Sequence, residues 1–498
     1  MRERAAIELT ELRDTIDPGL IRVGGDAIEL VTSGMYVSPV TIFREYVQNA
    51  ADAIDHARSA GVLSRQRPGR VAITLDHQTR GITIRDNGIG VPVADAVSTL
   101  LAIGGSQKRG TTARGFRGVG RLAGLGYCGA LEFRTKVRDE HKVAVVRWDC
   151  RELHKSLSGG MKDGDLRSIV ARVASVSFEP VTGDDHYFEV RLSDILRLQG
   201  DVLLNEAAIK AHLAQVAPLD FGSHFSFADQ IRDELRPYMG GQPVELFVSG
   251  EQIWRPHRDE LILPATNRRL KLNDLEIVKF ADVDGEVGAI GWLAHHDYVR
   301  SISTAFGVRG LRARIGNIQV GDESLFDSVF KEARFNGWTV GEINILDRRI
   351  VPNARRDNFV VNHHYYNLLA QVSSLAGRLS QRCRLSSVTR NASLGIERVV
   401  SEGKKVLKQQ KKLDRADASR LRAAILRARP RLKSVSDASQ RQLLASDLDK
   451  LEKRLFQLAQ RRRSAVVAFD EAKRVIARAI PNRELAAAIL RQLEKLTG

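Results

Sequence analysis

Cysteine is scarce in this chain. Cys128, Cys150 and Cys383 are the three in 498 residues. They are scattered and odd in number, and they form neither a metal-ligand spacing nor a disulfide framework, which fits a reducing cytosol. Long apolar runs are missing as well. None approaches the roughly 20 residues needed to span a bilayer, so no membrane segment is expected. The N-terminal stretch carries Glu3 and Glu8 where a signal peptide would have its apolar run, and a cytoplasmic protein is expected. Most of the chain also lacks a charge surplus. Residues 381–498 hold 29 Lys and Arg against 12 Asp and Glu, while the other 380 residues are balanced at 48 each. The whole net charge of +17 therefore describes the C-terminal quarter.

What is present is an ordinary globular balance, 43% hydrophobic and 28% charged,. The length is too great for one core and suggests about three domains. The most informative stretch runs from Phe43 to Ile54. Ile42, Tyr46, Val47, Ala50 and Ile54 recur at helical steps with no Gly or Pro inside,. Ser38 is the expected N-cap, Pro39 the first turn, and the helix should end before Ser59. Glu45, Asn49 and Asp52 then share one face about two turns long. Two acids and an amide flanked by Ala50, Ala51 and Ala53 allow a close approach, although a solvated acidic face would read similarly.

Downstream, Val71, Ile73 and Leu75 alternate as one strand and Ile82 and Ile84 as the next,. The second runs into Asp86-Asn87-Gly88-Ile89-Gly90. An acid at the end of a buried strand, followed by glycines that admit a ligand near the backbone, places Asp86 at a pocket floor; Asp-Asn-Gly is also good turn chemistry. A Gly- and Arg-rich stretch follows, containing Lys108, Gly115, Gly118 and Gly120. Such a loop suits backbone amides and cations wrapping phosphates. It is not a phosphate loop, because Thr111 stands where the lysine must be. Nor is it a dinucleotide fingerprint, because no strand precedes it.

In this order, Glu-x3-Asn-x2-Asp-Ala, then Asp-x-Gly-x-Gly, then Gly-x2-Gly-x-Gly, the motifs resemble the GHKL ATPase superfamily, which holds gyrase B, the ninety-kilodalton heat-shock chaperones, histidine kinases and MutL. Residues 27–130 carry the resemblance, and it leans toward the heat-shock chaperones. It implies a Bergerat-type α/β sandwich that binds ATP with Mg²⁺. Carried over, Glu45 is the general base for the attacking water and Asn49 the Mg²⁺ ligand. Asp86 accepts from the adenine amino group and Asp52 helps through a water. Gly88 and Gly90 make room for the base, while Lys108, Gly115, Gly118 and Gly120 close on the phosphates as a lid. The chaperones also have a Gly-Thr pair before a late strand; here that strand is Tyr187–Leu192 and no Thr stands at that place, Thr182 being the nearest and left unassigned.

Residues 200–380 read as mixed α/β, with strand-like runs at Val244–Val248, Val287–Leu293 and Leu311–Val320. Asn353 followed by Arg356 and Asp357 resembles the catalytic loop of the chaperone middle domain. Arg356, with Arg355 as the fallback, would neutralise charge at the γ-phosphate; Val360 stands where the chaperones have Gln. In the basic tail, Leu444, Leu448, Leu451, Leu455 and Leu458 step by four and three, a seam for an intramolecular bundle or a dimer, the bundle being slightly favoured because about two heptads are clean. Pro430 and Pro481 divide the tail into several helices.

The expected organisation is an α/β ATP-binding domain at 1–200, a mixed α/β middle domain at 201–384, and a basic helical, possibly dimerising domain at 385–498. The expected function is a chaperone-like ATPase, a homodimeric clamp gated by Mg-ATP and acting on a protein client. The alternative is a MutL- or MORC-like ATPase that meets DNA or RNA through its basic helices. A histidine kinase is disfavoured, since the helical unit comes last and contains no His.

Overall fold

The computed structural model describes residues 38–64, 66–103, 120–158, 166–263, 268–409 and 415–497. Lys108, Gly115 and Gly118, like the helical pattern expected at 27–35, lie outside the described residues. The architecture is α/β with a helical C-terminal region. The chain divides into two compact units, Met1–Ser380 and Gln381–Gly498.

The first unit begins with helix α1, Thr41–Ser59. Its apolar stripe is fully committed: Ile42, Phe43, Tyr46, Val47 and Ile54 are all buried in the core. Burying side chains of this size contributes about 1.5–3 kcal/mol each before entropy. The expected cap at Ser38 is not formed. Val40 occupies the N-cap with no side-chain bond, and the carbonyls of Ser38 and Pro39 accept from Thr41 and Ile42 instead. The backbone enters through a tight turn that satisfies the first amides itself. The helix also runs through Ser59, one residue beyond the expected end.

Strands β1, Arg70–Asp76, and β2, Gly81–Asp86, form an antiparallel hairpin. Asp76 closes its turn by accepting from the backbone of Gln78 and Thr79. Alternation buries Val71 and Ile73 on one strand and Ile82 and Ile84 on the other,. The hairpin belongs to a sheet that, among the described residues, has eight strands in the order β5-β4-β3-β6-β2-β1-β7-β8. Its other members are β3 Ala130–Lys136, β4 Lys142–Asp149, β5 Ala174–Pro180, β6 Tyr187–Ser193, β7 Glu245–Val248 and β8 Glu251–Ile253. The β1–β7 pair is parallel. The sheet therefore draws in strands from beyond residue 200. Leu203, Leu204, Ile209 and Leu213 join the same core, so position 200 does not mark the edge of this layer.

Besides a short antiparallel pair, β9 Glu260–Leu263 with β10 Arg268–Lys271, a second main sheet, five strands among the described residues, runs β11-β12-β15-β13-β14. It is built from Asp274–Ala281, Val287–His295, Val340–Ile345, Gly310–Ile315 and Ile318–Val320 respectively. The run expected as one strand at 311–320 is thus a hairpin turning at Gly316-Asn317, where both residues have positive φ. Cross-strand register puts Arg312 opposite Glu342 and Arg314 opposite Asn344.

A long helix, His363–Gln409, begins in the first unit and continues in the second. The second unit adds helices Arg415–Ala428, Ala438–Ala479 and Arg483–Thr497. Leu444, Leu448, Leu451 and Leu455 are buried against Ile396, Val400, Leu421 and Ile425. The leucine seam closes an intramolecular bundle. A Cβ at Gly403 would meet Leu451 Cδ2 at 2.6 Å, so any side chain there would make the seam leucines shift.

Candidate active site

Helix α1 presents Glu45 and Asp52 as buried acids, 7% and 8% exposed, with Asn49 half-buried between them. Asp86 ends β2 and is also buried. The turn that follows it lies directly on α1: Ile89 N–H donates to the Ala53 carbonyl at 3.1 Å. A Cβ on Gly88 would meet the Ala53 Cβ at 2.6 Å, so only glycine allows this approach,. Gly90 has φ +74°, and a Cβ there would lie 2.4 Å from the Lys136 carbonyl oxygen. The two glycines of the motif are thus clamped between a helix and the end of β3.

Hydrogen bonds fix the same turn. Gly88 N–H donates to Asp86 Oδ1 at 2.8 Å. Val91 N–H donates to Thr135 Oγ1 at 2.7 Å. His186 Nδ1 lies 2.7 Å from the Gly88 carbonyl oxygen. The pair preceding β6 is Asp185-His186, where the resemblance would place Gly-Thr. The side chain of Lys136 is fully buried and donates to the carbonyls of Gly183 and Asp185.

At the other end of α1, Glu45 Oε1 takes two cations. Arg44 Nη2 lies at 3.2 Å and Arg356 Nε at 3.5 Å. Arg44 also donates to the Arg355 carbonyl at 3.3 Å. The structure thus brings together residues 311 positions apart. It sets the Arg356 side chain beside the carboxylate, whereas Arg355 contributes a backbone oxygen. Arg356 has φ +56°, a conformation costly for a side chain with a Cβ,. Its loop over-determines it: Arg356 N–H donates to the Asn353 carbonyl, Gly321 N–H to the Arg356 carbonyl, and Asn353 Nδ2 to Asp357. Val360 is exposed.

The second carboxylate oxygen of Glu45 faces Gly120. A Cβ on Gly120 would stand 2.5 Å from Oε2. Gly120 opens a 3₁₀ segment, Gly120–Gly126, that crosses α1 and is anchored by Gly124 N–H to the Tyr46 hydroxyl at 2.9 Å.

Sequence reasoning missed Arg44, His186 and Lys136 as supports. Arg44 could have been suspected from adjacency to Glu45, and His186 from its place before β6. It also missed His212 on the helix Glu206–Val216. Burial and the nearby Arg44 push that imidazole down to about 4, so it is neutral at pH 7. Cys128 and Cys150, scattered in sequence, meet with sulfurs 3.7 Å apart in the core.

Among the described residues no helix is long and apolar enough to cross a membrane. No group of three or more His, Cys, Asp or Glu side chains among them is arranged to hold a metal.

A family model described as histidine kinase-, DNA gyrase B- and HSP90-like ATPase matches residues 37–178. The chaperone protein HtpG of Acinetobacter baylyi is 28% identical over 159 residues, 28% of this chain and 24% of that protein. HtpG of Polaromonas naphthalenivorans is 33% identical over 92 residues, 18% and 15% of the two chains. HtpG of Anaplasma marginale is 28% identical over 125 residues, 23% and 19%. The chain spans a quarter or less of the length of these relatives. Residues 37–178 are thus what this chain shares with the histidine kinase-, DNA gyrase B- and HSP90-like ATPases.

Proposed function

We propose that the first unit binds ATP and hydrolyses it, and that hydrolysis drives a conformational clamp of the chaperone kind. The observation that carries this reading is the asymmetry at Glu45. Both arginines converge on Oε1, and Oε2 faces Gly120, the last glycine of the Gly-x2-Gly-x-Gly motif. A buried carboxylate oriented through one oxygen is suited to take a proton from water on the other,.

In this reading Asp86 accepts from the 6-amino group of adenine, with Asp52 assisting through water and Gly88 and Gly90 admitting the ring. Lys108, Gly115, Gly118 and Gly120 cover the phosphates. Glu45 orients and deprotonates the attacking water. Arg356 leaves Glu45 for the γ-phosphoryl oxygens as charge accumulates there, a gain of the electrostatic kind. Asn49 fits Mg²⁺: its amide oxygen is a hard neutral ligand on the Glu45 face, and such an ion is held by few protein groups with phosphate oxygens completing its shell. When bound, Mg²⁺ supplies neutralisation of the phosphate charge.

The functional division is an ATP-binding domain at 1–200, a middle domain at 201–384 bearing Arg356, and a helical domain at 385–498. A cytoplasmic homodimer with a protein client completes the proposal. The test is ATP affinity of the full chain: Asp86→Asn should weaken it at least tenfold, since an amide presents a donor where the purine needs an acceptor. Unchanged affinity would remove Asp86 from the purine site.

A second reading, an ATPase acting on nucleic acid, rests on the tail. Its seam leucines Leu444, Leu448, Leu451 and Leu455 are buried internally, while Lys404, Lys405 and Lys408 stay exposed in a segment that holds the entire charge surplus. DNA binding by the full chain that falls steeply with salt would favour it; no binding at low salt would end it.

A further inference from the structure

Among the described residues, the ionisable side chain of His186 donates to the turn Asp86–Gly90 from outside it. His186 is 7% exposed, and its Nδ1 lies 2.7 Å from the Gly88 carbonyl oxygen. A carbonyl can only accept, so Nδ1 carries the proton in this bond. The N–H of the same glycine donates to Asp86 Oδ1 at 2.8 Å. Gly88 is therefore held at both polar ends, by His186 on one side and Asp86 on the other. The orientation of the Asp86 carboxylate is tied to the Gly88 residue, and Gly88 is tied to His186.

His186 is itself fixed. Lys136 donates to the carbonyls of Gly183 and Asp185, immediately upstream, at 2.8 and 2.6 Å. Arg85 stacks over the Tyr187 ring at 3.6 Å, immediately downstream. Arg85 also pairs with Glu189 at 3.0 Å across the β2–β6 ladder. The imidazole is thus held on a strand end that cannot drift from the turn it supports.

We propose that His186 is a positioning residue for purine selection: through Gly88 it aims the Asp86 carboxylate at the exocyclic group of the base. The inference rests on the reading of this site as an ATP site. A carboxylate so aimed accepts from the 6-amino group of adenine and repels the 6-oxo group of guanine. A carboxylate free to rotate loses part of both effects, so the preference for ATP over GTP falls.

The experiment measures ATP and GTP affinities of the full chain for the wild type, His186→Ala and His186→Asn. The wild type should prefer ATP. His186→Ala should lower ATP affinity by about tenfold, the equilibrium factor of one buried hydrogen bond, and should narrow the ATP-to-GTP ratio. His186→Asn can keep a side-chain N–H near the Nδ1 position and should restore most of the ratio. Thermal unfolding of each variant accompanies the titrations. A histidine that only stabilised the fold would lower the melting temperature and leave the ratio unchanged, and that result overturns the proposal; so does an Asn variant that folds but behaves as Ala. If His186→Ala fails to fold, His186→Leu, which fills the site without an N–H, takes its place: a narrowed ratio beside a retained ratio in the Asn variant supports the proposal, and equal ratios in the two variants contradict it. A wild type that binds neither nucleotide defeats the ATP-site reading itself, and a wild type that binds ATP with a ratio insensitive to position 186 defeats this inference alone.

Discussion

Glu342 and Glu45, both in the first unit, each lie between two arginines, and their surroundings are built differently. Glu342, on β15, is fully buried. Arg314 Nε reaches one of its oxygens at 2.6 Å and Arg255 the other. The guanidiniums are satisfied in turn by the carbonyls of Gln215, Ala217, Asn317 and Leu219 and by the Asn317 amide. Burial alone would raise Glu342, but the two arginines more than offset it and hold the carboxyl at about 2. Glu45 is held at 3.2 and 3.5 Å, both contacts on one oxygen. One of its arginines sits on a backbone with φ +56°. The Glu342 cluster is saturated and can only hold the fold, clasping the chain at 215–219 to the second sheet. The Glu45 cluster is lopsided, and one of its arginines is strained, which suits the exchange of partners proposed for it. An ion pair by its composition says little about function; its geometry says more.

The comparison can be broken first at Glu342. Glu342→Ala leaves two buried guanidiniums unpaired and should cost about 3–5 kcal/mol in denaturant unfolding. A loss under about 1 kcal/mol would show that the cluster is not the clasp described. Its pH dependence follows with a definite sign. The folded-state value near 2 lies below the ordinary 4.5, so the stabilisation is complete above about pH 4.5 and disappears as pH falls toward 2,. The wild type should lose about 3 kcal/mol more than Glu342→Gln over that interval, and parallel acid limbs would contradict it. At the Glu45 cluster the effects reverse. Arg356→Ala should lower turnover about a hundredfold while costing clearly less stability than Glu342→Ala, because Arg44 still pairs the Glu45 carboxylate,. A stability loss like that of Glu342→Ala would erase the distinction between the clusters.

The contrast also explains what could be read from the sequence. The face of α1 was legible because its period is short and Ile42, Tyr46, Val47 and Ile54 mark it. The β1–β2 hairpin was legible for the same reason, its alternation being local. The parallel pairing of β7 with β1 was not, because it joins Val71 to Leu246 and nothing in either segment names the other. Ser38 misled because residue type suggests a cap but cannot reveal that the backbone of the turn already supplies the bonds. The order of motifs pointed to Glu45, Asp86 and the lid glycines. It could not show that Glu45 takes both cations on one oxygen, nor that His186 holds Gly88, since these are facts of side-chain direction.

The most direct measurement is single-turnover phosphate release from ATP by the full chain, paired with ATP affinity, for the wild type and Glu45→Ala. The account predicts a variant that binds ATP within about threefold of the wild type and releases phosphate at least a hundredfold more slowly. Phosphate release by Glu45→Ala at the wild-type rate would contradict it.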